Sequence, residues 1–158
     1  MALHFTDTEF ADRKARLLAG MKAADIDALL MFRQESMYWL TGYDTFGYVY
    51  FQSLVLTADG RIVLMTRAPD LRQAQNTSNI ADIRIWVDRD GASPTDNLRA
   101  ILDELGLGGA RLGVEYEAYG LTGRNAMRLN AALDGFARLI DESELVSRLR
   151  LVKSAAEI

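Results

Sequence analysis

Near the start of the chain, apolar residues recur at helical spacing. Phe10, Leu17, Leu18 and Met21 fall together, while Asp12, Arg13, Lys14 and Arg16 are read as lying off that stripe. Thr6, followed by Glu9 three residues later, supplies a reciprocal capping pair, so the pattern predicts an amphipathic first helix. The character then changes. Ile26 and Ala28 to Phe32 form an almost unbroken apolar run, as expected of a strand buried on both faces. Met37 to Leu40 predict a short helix halted by Gly42. Tyr48 to Leu56 and Ile62 to Thr66 flank Asp59-Gly60, which predicts an antiparallel hairpin. Pro69 suits the first turn of a short helix reaching Gln75. After it, Ile83, Ile85 and Val87 alternate with Arg84, Trp86 and Asp88 in the manner of a half-exposed strand.

The second half repeats the alternation. Ser93-Pro94 opens a helix whose stripe is Leu98, Ile101, Leu102 and Leu105 and whose stop is Gly106. Leu112 to Tyr116 read as a strand, Thr122 to Leu133 as a helix ending at Asp134-Gly135, and Phe136 to Ile140 as the last strand. Ser143 then caps a helix carrying Leu145, Val146 and Leu149. Helices and strands interleave with one hairpin among them, so the expected fold is α/β, with a mixed, mostly parallel sheet of about six strands flanked by helices. The chain closes on a second capping pair, Ser154 with Glu157, with only Ile158 behind it. A helix start without a helix recovers none of its nucleation cost. The expectation is therefore a domain over residues 1–151, with 152–158 beginning the linker or first helix of a further domain.

Composition narrows the function classes. The 158 residues suffice for one ordinary core, and a net charge of -4 argues against a phosphate-backbone partner. The absence of cysteine removes disulfides, thiolate catalysis and zinc-cysteine sites, which fits the cytoplasm. The segment Met1 to Glu9 lacks the basic and apolar regions of a secretory signal, and no stretch is long enough to span a membrane.

Catalytic chemistry is hard to assemble from these residues. The only histidine is His4, in a terminal segment, so neither a serine-histidine pair nor an imidazole metal site can be built, and no catalytic or metal-ligating residue is assigned. The acidic groups (Asp25 with Asp27, Asp88 with Asp90, Glu115 with Glu117, and Asp141, Glu142 and Glu144) read as solvated surface. Gly106-Leu107-Gly108-Gly109 runs from helix to strand, the wrong direction for a phosphate cradle. Half of the aromatic residues, however, crowd between Tyr38 and Phe51. On a strand Tyr48 and Tyr50 would share one face and Val49 and Phe51 the other, leaving two phenols to meet a ligand or partner. The alternative for either tyrosine is a sheet face covered by the domain's own helices. The candidate pocket residues are Tyr43, Asp44, Thr45, Phe46, Tyr48 and Tyr50.

Three strings, in order, resemble a known family. Met37-Tyr38-Trp39-Leu40-Thr41-Gly42-Tyr43 is similar to its Y-L-T-G-F/Y segment, Leu112-Gly113-Val114-Glu115 to its v-G-v-E strand, and Leu149 to Ile158 to its LR-x-x-KS-x-x-E-I junction. The family is the creatinase, prolidase and aminopeptidase P group of pita-bread hydrolases, and the resemblance covers essentially the whole chain as the non-catalytic N-terminal domain. It implies a ribonuclease H-like mixed sheet, followed by a catalytic domain that in the metallopeptidase members holds a pair of divalent metals, manganese, cobalt or zinc. It also implies a homodimer, in which the loop from Tyr43 to Tyr50 walls a substrate pocket for a small peptide or small amide. Creatinase itself recognises its zwitterionic substrate partly through an arginine and a phenylalanine here, where this chain's register places Tyr50 and Tyr48. No arginine lies between Arg33 and Arg61, so a carboxylate clamp from the loop is absent or differently placed, which counts against creatine.

The resulting expectation is the N-terminal domain of a cytoplasmic Xaa-Pro dipeptidase or aminopeptidase, shaping substrate access and dimerisation. A creatinase-like amidinohydrolase or other small-amide hydrolase is the alternative. From another class, a stand-alone ligand-binding or dimerisation module remains open. An enzyme complete in these residues is disfavoured, because no nucleophile and base pair forms.

Overall fold

A computed structural model of the chain describes residues 3–158; Met1 and Ala2, the first positions of the segment read for a signal, lie outside it. Thr6 accepts the Glu9 N–H and opens α1 (Asp7–Ala23), which buries Phe10, Leu17 and Met21. Arg13, expected off this stripe, is buried with them, because its position three residues after Phe10 and four before Leu17 places it on the inward face. Then follow β1 (Ala28–Met31), α2 (Gln34–Thr41), β2 (Ser53–Thr57) and β3 (Ile62–Arg67). Gly42 ends α2 in the left-handed conformation (φ 79), and a Cβ there would lie 2.9 Å from the Thr77 carbonyl oxygen. A 3₁₀ turn (Ala68–Asp70) leads into α3 (Leu71–Thr77). The remaining elements are β4 (Asp82–Trp86), α4 (Pro94–Glu104), β5 (Arg111–Val114), α5 (Gly123–Leu133), β6 (Arg138–Asp141) and α6 (Leu145–Leu151).

The sheet order is β4-β3-β2-β1-β5-β6. The expected β2–β3 hairpin is present, and β2 also runs antiparallel to β1, since the connection through α2 returns the chain in the opposite direction. The other three pairings, β3–β4, β1–β5 and β5–β6, are parallel. Both faces are covered, which is why β1 and β2 are apolar without alternation. On one face Leu30, Val55 and Val114 pack with Leu98 and Leu102 of α4 and Leu129 and Leu133 of α5. On the other, Leu29, Met31 and Leu54 pack with residues of α1, α2, α3 and α6.

Three local expectations are corrected. The strand read from Tyr48 begins only at Ser53: residues 46–49 form a turn, because Gly47 lies so close to Asp70 that a Cβ would meet its carboxylate at 2.6 Å. At the β4 edge the buried ring is Trp86, whose Nε1 donates to the Phe51 carbonyl (3.0 Å), while Ile85 and Val87 are exposed. Ser143 does not cap α6. Its N–H and hydroxyl donate to Asp141 Oδ1 and its Oγ accepts the Tyr116 and Glu117 N–H groups, so it ties β6 to the β5 exit.

The last turn folds back on the first helix. In the 3₁₀ segment Ala155–Glu157, the Glu157 carboxylate accepts the Ser154 N–H (2.9 Å), and the Ser154 hydroxyl donates to Glu9 Oε1 (2.7 Å). Arg13 joins both acids, with Nε 2.9 Å from Glu9 and Nη2 3.3 Å from Glu157, while Nη1 donates to the Trp39 carbonyl (2.9 Å). Its guanidinium lies 3.9 Å from the Phe5 ring centroid.

Candidate functional site

In an open α/β sheet, ligands collect outside the carboxyl ends of parallel strands, where neighbouring connections leave to opposite faces. β1 and β5 meet this condition: they are adjacent and parallel, β1 continues into α2 on one face and β5 into α5 on the other. A cleft of about 730 Å³ opens there. One wall is Phe32 to Glu35 from the β1 exit and the other is Tyr116 to Tyr119 from the β5 exit, with Tyr48 and Arg150 closing the sides. A second hollow of about 490 Å³ shares Gln34, Glu35 and Arg150 with it, so one trough crosses the first turn of α2.

The walls are fastened through buried polar groups. Glu115, expected on the surface, is fully buried: Oε2 accepts the Phe32 and Arg33 N–H groups (3.0 Å each) and Oε1 accepts the Ser36 hydroxyl (2.5 Å). Burial pushes its carboxyl up to about 7 against the three donors, which favour the charged form. The Arg33 guanidinium bonds the Glu117 carbonyl (2.5 Å), the Glu117 carboxylate (3.0 Å) and the Ser147 hydroxyl (2.6 Å), joining the β1 exit, the β5 exit and α6. Asp141 is held below the usual carboxylate range by the Ser143 hydroxyl.

The six candidate residues divide into struts and surface. Tyr43 is buried, and its hydroxyl donates to Gln52 Oε1 (2.8 Å) and lies 3.1 Å from Thr66 Oγ1. Thr45 is buried too and accepts the Gly47 N–H (2.8 Å). Asp44 is exposed and accepts from Gln34 Nε2 (3.1 Å). Phe46 is 88% exposed, which leaves its ring without a partner, and Tyr48 and Tyr50 are 42% and 46% exposed. Tyr48 reaches the cleft, edge-on to Tyr119 with centroids 6.3 Å apart, and Asp44 lines the second hollow of the trough. Gly120 makes that contact feasible: a Cβ would lie 2.8 Å from the Tyr50 carbonyl oxygen and 3.0 Å from that of Tyr48. Although no arginine lies within the loop, Arg67 brings one to it from β3, stacked 3.5 Å from the Tyr50 ring centroid and paired with Asp70 (3.2 Å).

The residues that sequence reading missed are those at the strand exits. Their signal was topological: with β1 and β5 parallel neighbours, positions 32–35 and 116–119 are where a crevice forms. Among the described residues no three or more histidines, aspartates or glutamates converge to hold a metal, so the metal pair implied by the resemblance has no ligand set within them.

The fold and cleft thus define an α/β domain with a ligand-sized crevice and an aromatic loop. Residues 13–152 match the model of the creatinase/prolidase N-terminal domain, and the chain belongs to that family. It is 32% identical over 163 residues to an uncharacterised hydrolase/peptidase of Sinorhizobium fredii, covering 99% of this chain and 41% of the relative. It is 28% identical over 172 residues to the ectoine hydrolase of Halomonas elongata, covering 100% of this chain and again 41% of the relative. The chain therefore spans about two-fifths of the length of these curated relatives. Among solved structures, the Xaa-Pro dipeptidase from Bacillus anthracis superposes with a TM-score of 0.74 at 22% identity, over 94% of this chain and 38% of that one, a likeness of fold.

Proposed function

We propose that this domain is the non-catalytic half of an Xaa-Pro dipeptidase or aminopeptidase, where it walls the substrate pocket and contributes to a homodimer. The observation that carries the reading is the loop of Phe46, Tyr48 and Tyr50: buried struts hold the Phe46 ring out to solvent and leave the two phenols part-exposed beside Tyr119 and Arg67, in a domain whose described residues assemble no metal cluster. Hydrolysis itself would fall to the catalytic half, where a divalent metal pair (manganese, cobalt or zinc) would activate water. The domain's part is to exclude solvent and orient a small substrate. The proposal includes work in the cytoplasm, which the cysteine-free sequence supports. No helix among the described residues is long and apolar enough to cross a membrane.

The test is steady-state kinetics of the full-length parent with Phe46→Ala and Tyr48→Ala, using Xaa-Pro dipeptides. The expected result is a KM raised roughly tenfold with a smaller change in kcat, since loss of one partly buried aromatic contact removes about 1–2 kcal/mol of binding. Unchanged KM and unchanged oligomeric state in both variants would sink the proposal.

A second reading is favoured by the ectoine hydrolase relative: a parent that opens a small amide or amidine in place of a peptide. The same variants assayed with both substrate classes decide between them. A stand-alone binding module would instead show saturable binding by the 158-residue chain and no dependence on a catalytic half.

A further inference from the structure

Glu115 sits at the seam between the two walls of the cleft. Its N–H donates to the Leu30 carbonyl (3.0 Å), carrying the β1–β5 ladder one step past the strands, and its side chain turns inward. The three donors it meets belong to the segment leaving β1 and opening α2, which is one wall; Glu115 itself leads into Tyr116 to Tyr119, the other. No ion pair accompanies these bonds among the described residues, because the nearby cation is turned elsewhere: Arg33 pairs with Glu117 (3.0 Å) and Glu144 (3.8 Å). The other charged groups on the elements packed here are Glu35 on α2, Arg111 on β5, Arg138 and Asp141 on β6, Glu142 after it, and Arg148 and Arg150 on α6, with Asp141 taken up by Ser143.

The donor set is asymmetric. Phe32 and Arg33 present backbone N–H groups, which only donate, whereas the Ser36 hydroxyl donates or accepts. We propose that Glu115 and Ser36 form a proton-holding clasp: Oε2 keeps both N–H bonds in either charge state, while Oε1 and Ser36 Oγ exchange donor and acceptor roles as the carboxyl gains or loses its proton. The arrangement fits both states because the protonated form needs one buried acceptor, and Ser36, itself fully buried, stands at 2.5 Å. With the carboxyl raised to about 7, the exchange falls near neutrality. Proton uptake then makes the buried seam behind Arg33 one unit more positive without parting the walls, and Glu115 acts as a positioning residue that holds the two walls together in both charge states.

The clasp is tested by following side-chain carboxyl carbons and backbone amides by NMR through neutral pH, in the 158-residue chain and in Glu115→Gln and Ser36→Ala. Expected is one glutamate carboxyl with its midpoint near 7, lost in Glu115→Gln, with the Phe32 and Arg33 amides shifting at the same midpoint yet staying protected from exchange on both sides of it. The Glu115→Gln side chain reproduces the protonated form, its carbonyl accepting and its amide donating to Ser36, so this variant should fold with both amides protected. In Ser36→Ala the carboxylate loses one of the three donors that favour its charged form, so the midpoint should move up, and the Phe32 and Arg33 amide shifts should follow it. A glutamate set titrating wholly in the ordinary range overturns the proposal. So does loss of Phe32 and Arg33 protection in the native chain as pH falls through neutrality, and so does failure of Glu115→Gln to fold, since the protonated arrangement would then not be tolerated.

Discussion

Replacing Arg13 with methionine should cost more stability than any exposed arginine would. The native side chain is 1% exposed, with carboxylates of Glu9 and Glu157 at 2.9 and 3.3 Å and the Trp39 carbonyl at 2.9 Å. Breaking a buried charge network costs about 3–5 kcal/mol when the remaining charge is stranded. Here the acids left behind keep 17% and 13% side-chain exposure and regain some hydration, so the lower end applies. Methionine also keeps much of the contact with Phe5. The net expectation is about 3 kcal/mol, or a Tm lower by about 6–12 °C in a domain of this size. Arg13→Lys keeps the charge but not the fork, and should lose about 2 kcal/mol, one charged hydrogen bond. Urea unfolding followed by circular dichroism reads both values. If Arg13→Met lies within about 1 kcal/mol of the native protein, or Arg13→Lys is indistinguishable from it, the network does not hold the last turn to the first helix.

Gly120→Ala should lose about 1–3 kcal/mol and displace the aromatic loop, since the added Cβ meets two carbonyl oxygens that cannot swing aside; amide shifts confined to residues 48–50 and 118–121 would report it. Gly123→Ala, with nothing within 4 Å of its Cβ, is the control and should be neutral or slightly stabilising. Tyr43→Phe should cost about 1–2 kcal/mol in urea unfolding, because Gln52 Oε1 keeps only Thr66 as a donor. Two acids act oppositely on stability against pH. Glu115 has a folded value near 7 above its ordinary 4.5, so its contribution is present below 4.5, declines as pH rises toward 7, and its share of the slope vanishes in Glu115→Gln. Glu9 is held low, chiefly by the Ser154 hydroxyl, so its contribution is lost as acid carries the pH down through its depressed value, and Ser154→Ala should weaken that loss.

Local chemistry made most of the elements legible. Asp59-Gly60 marked the hairpin, Gly42 and Gly106 the helix ends, and the apolar runs at Ala28 and Leu112 the central strands, because in each case the deciding interaction lies within a few residues. Where the deciding partner lies far along the chain, the reading failed. Tyr48 and Tyr50 alternate like strand residues, but Asp70 and Gly120 dictate a turn. Glu115 looks like any acid after a strand until Phe32 and Arg33 arrive with their N–H groups. Arg13 is different: its spacing already placed it on the inward stripe, and only its charge argued otherwise. Of the candidate site, the aromatic loop was visible as composition, whereas the cleft required knowing that β1 and β5 are parallel neighbours.

The bond between Ser154 and Glu9 brings the chain's entry and departure together, with Phe5 and Glu157 both resting against Arg13. A fold whose ends lie close together tolerates rejoining them and opening the backbone at an exposed turn. Joining Ile158 to Leu3 through a short glycine-serine linker, and opening new ends at the exposed Asp134-Gly135 turn, should yield a circular permutant with the same sheet order.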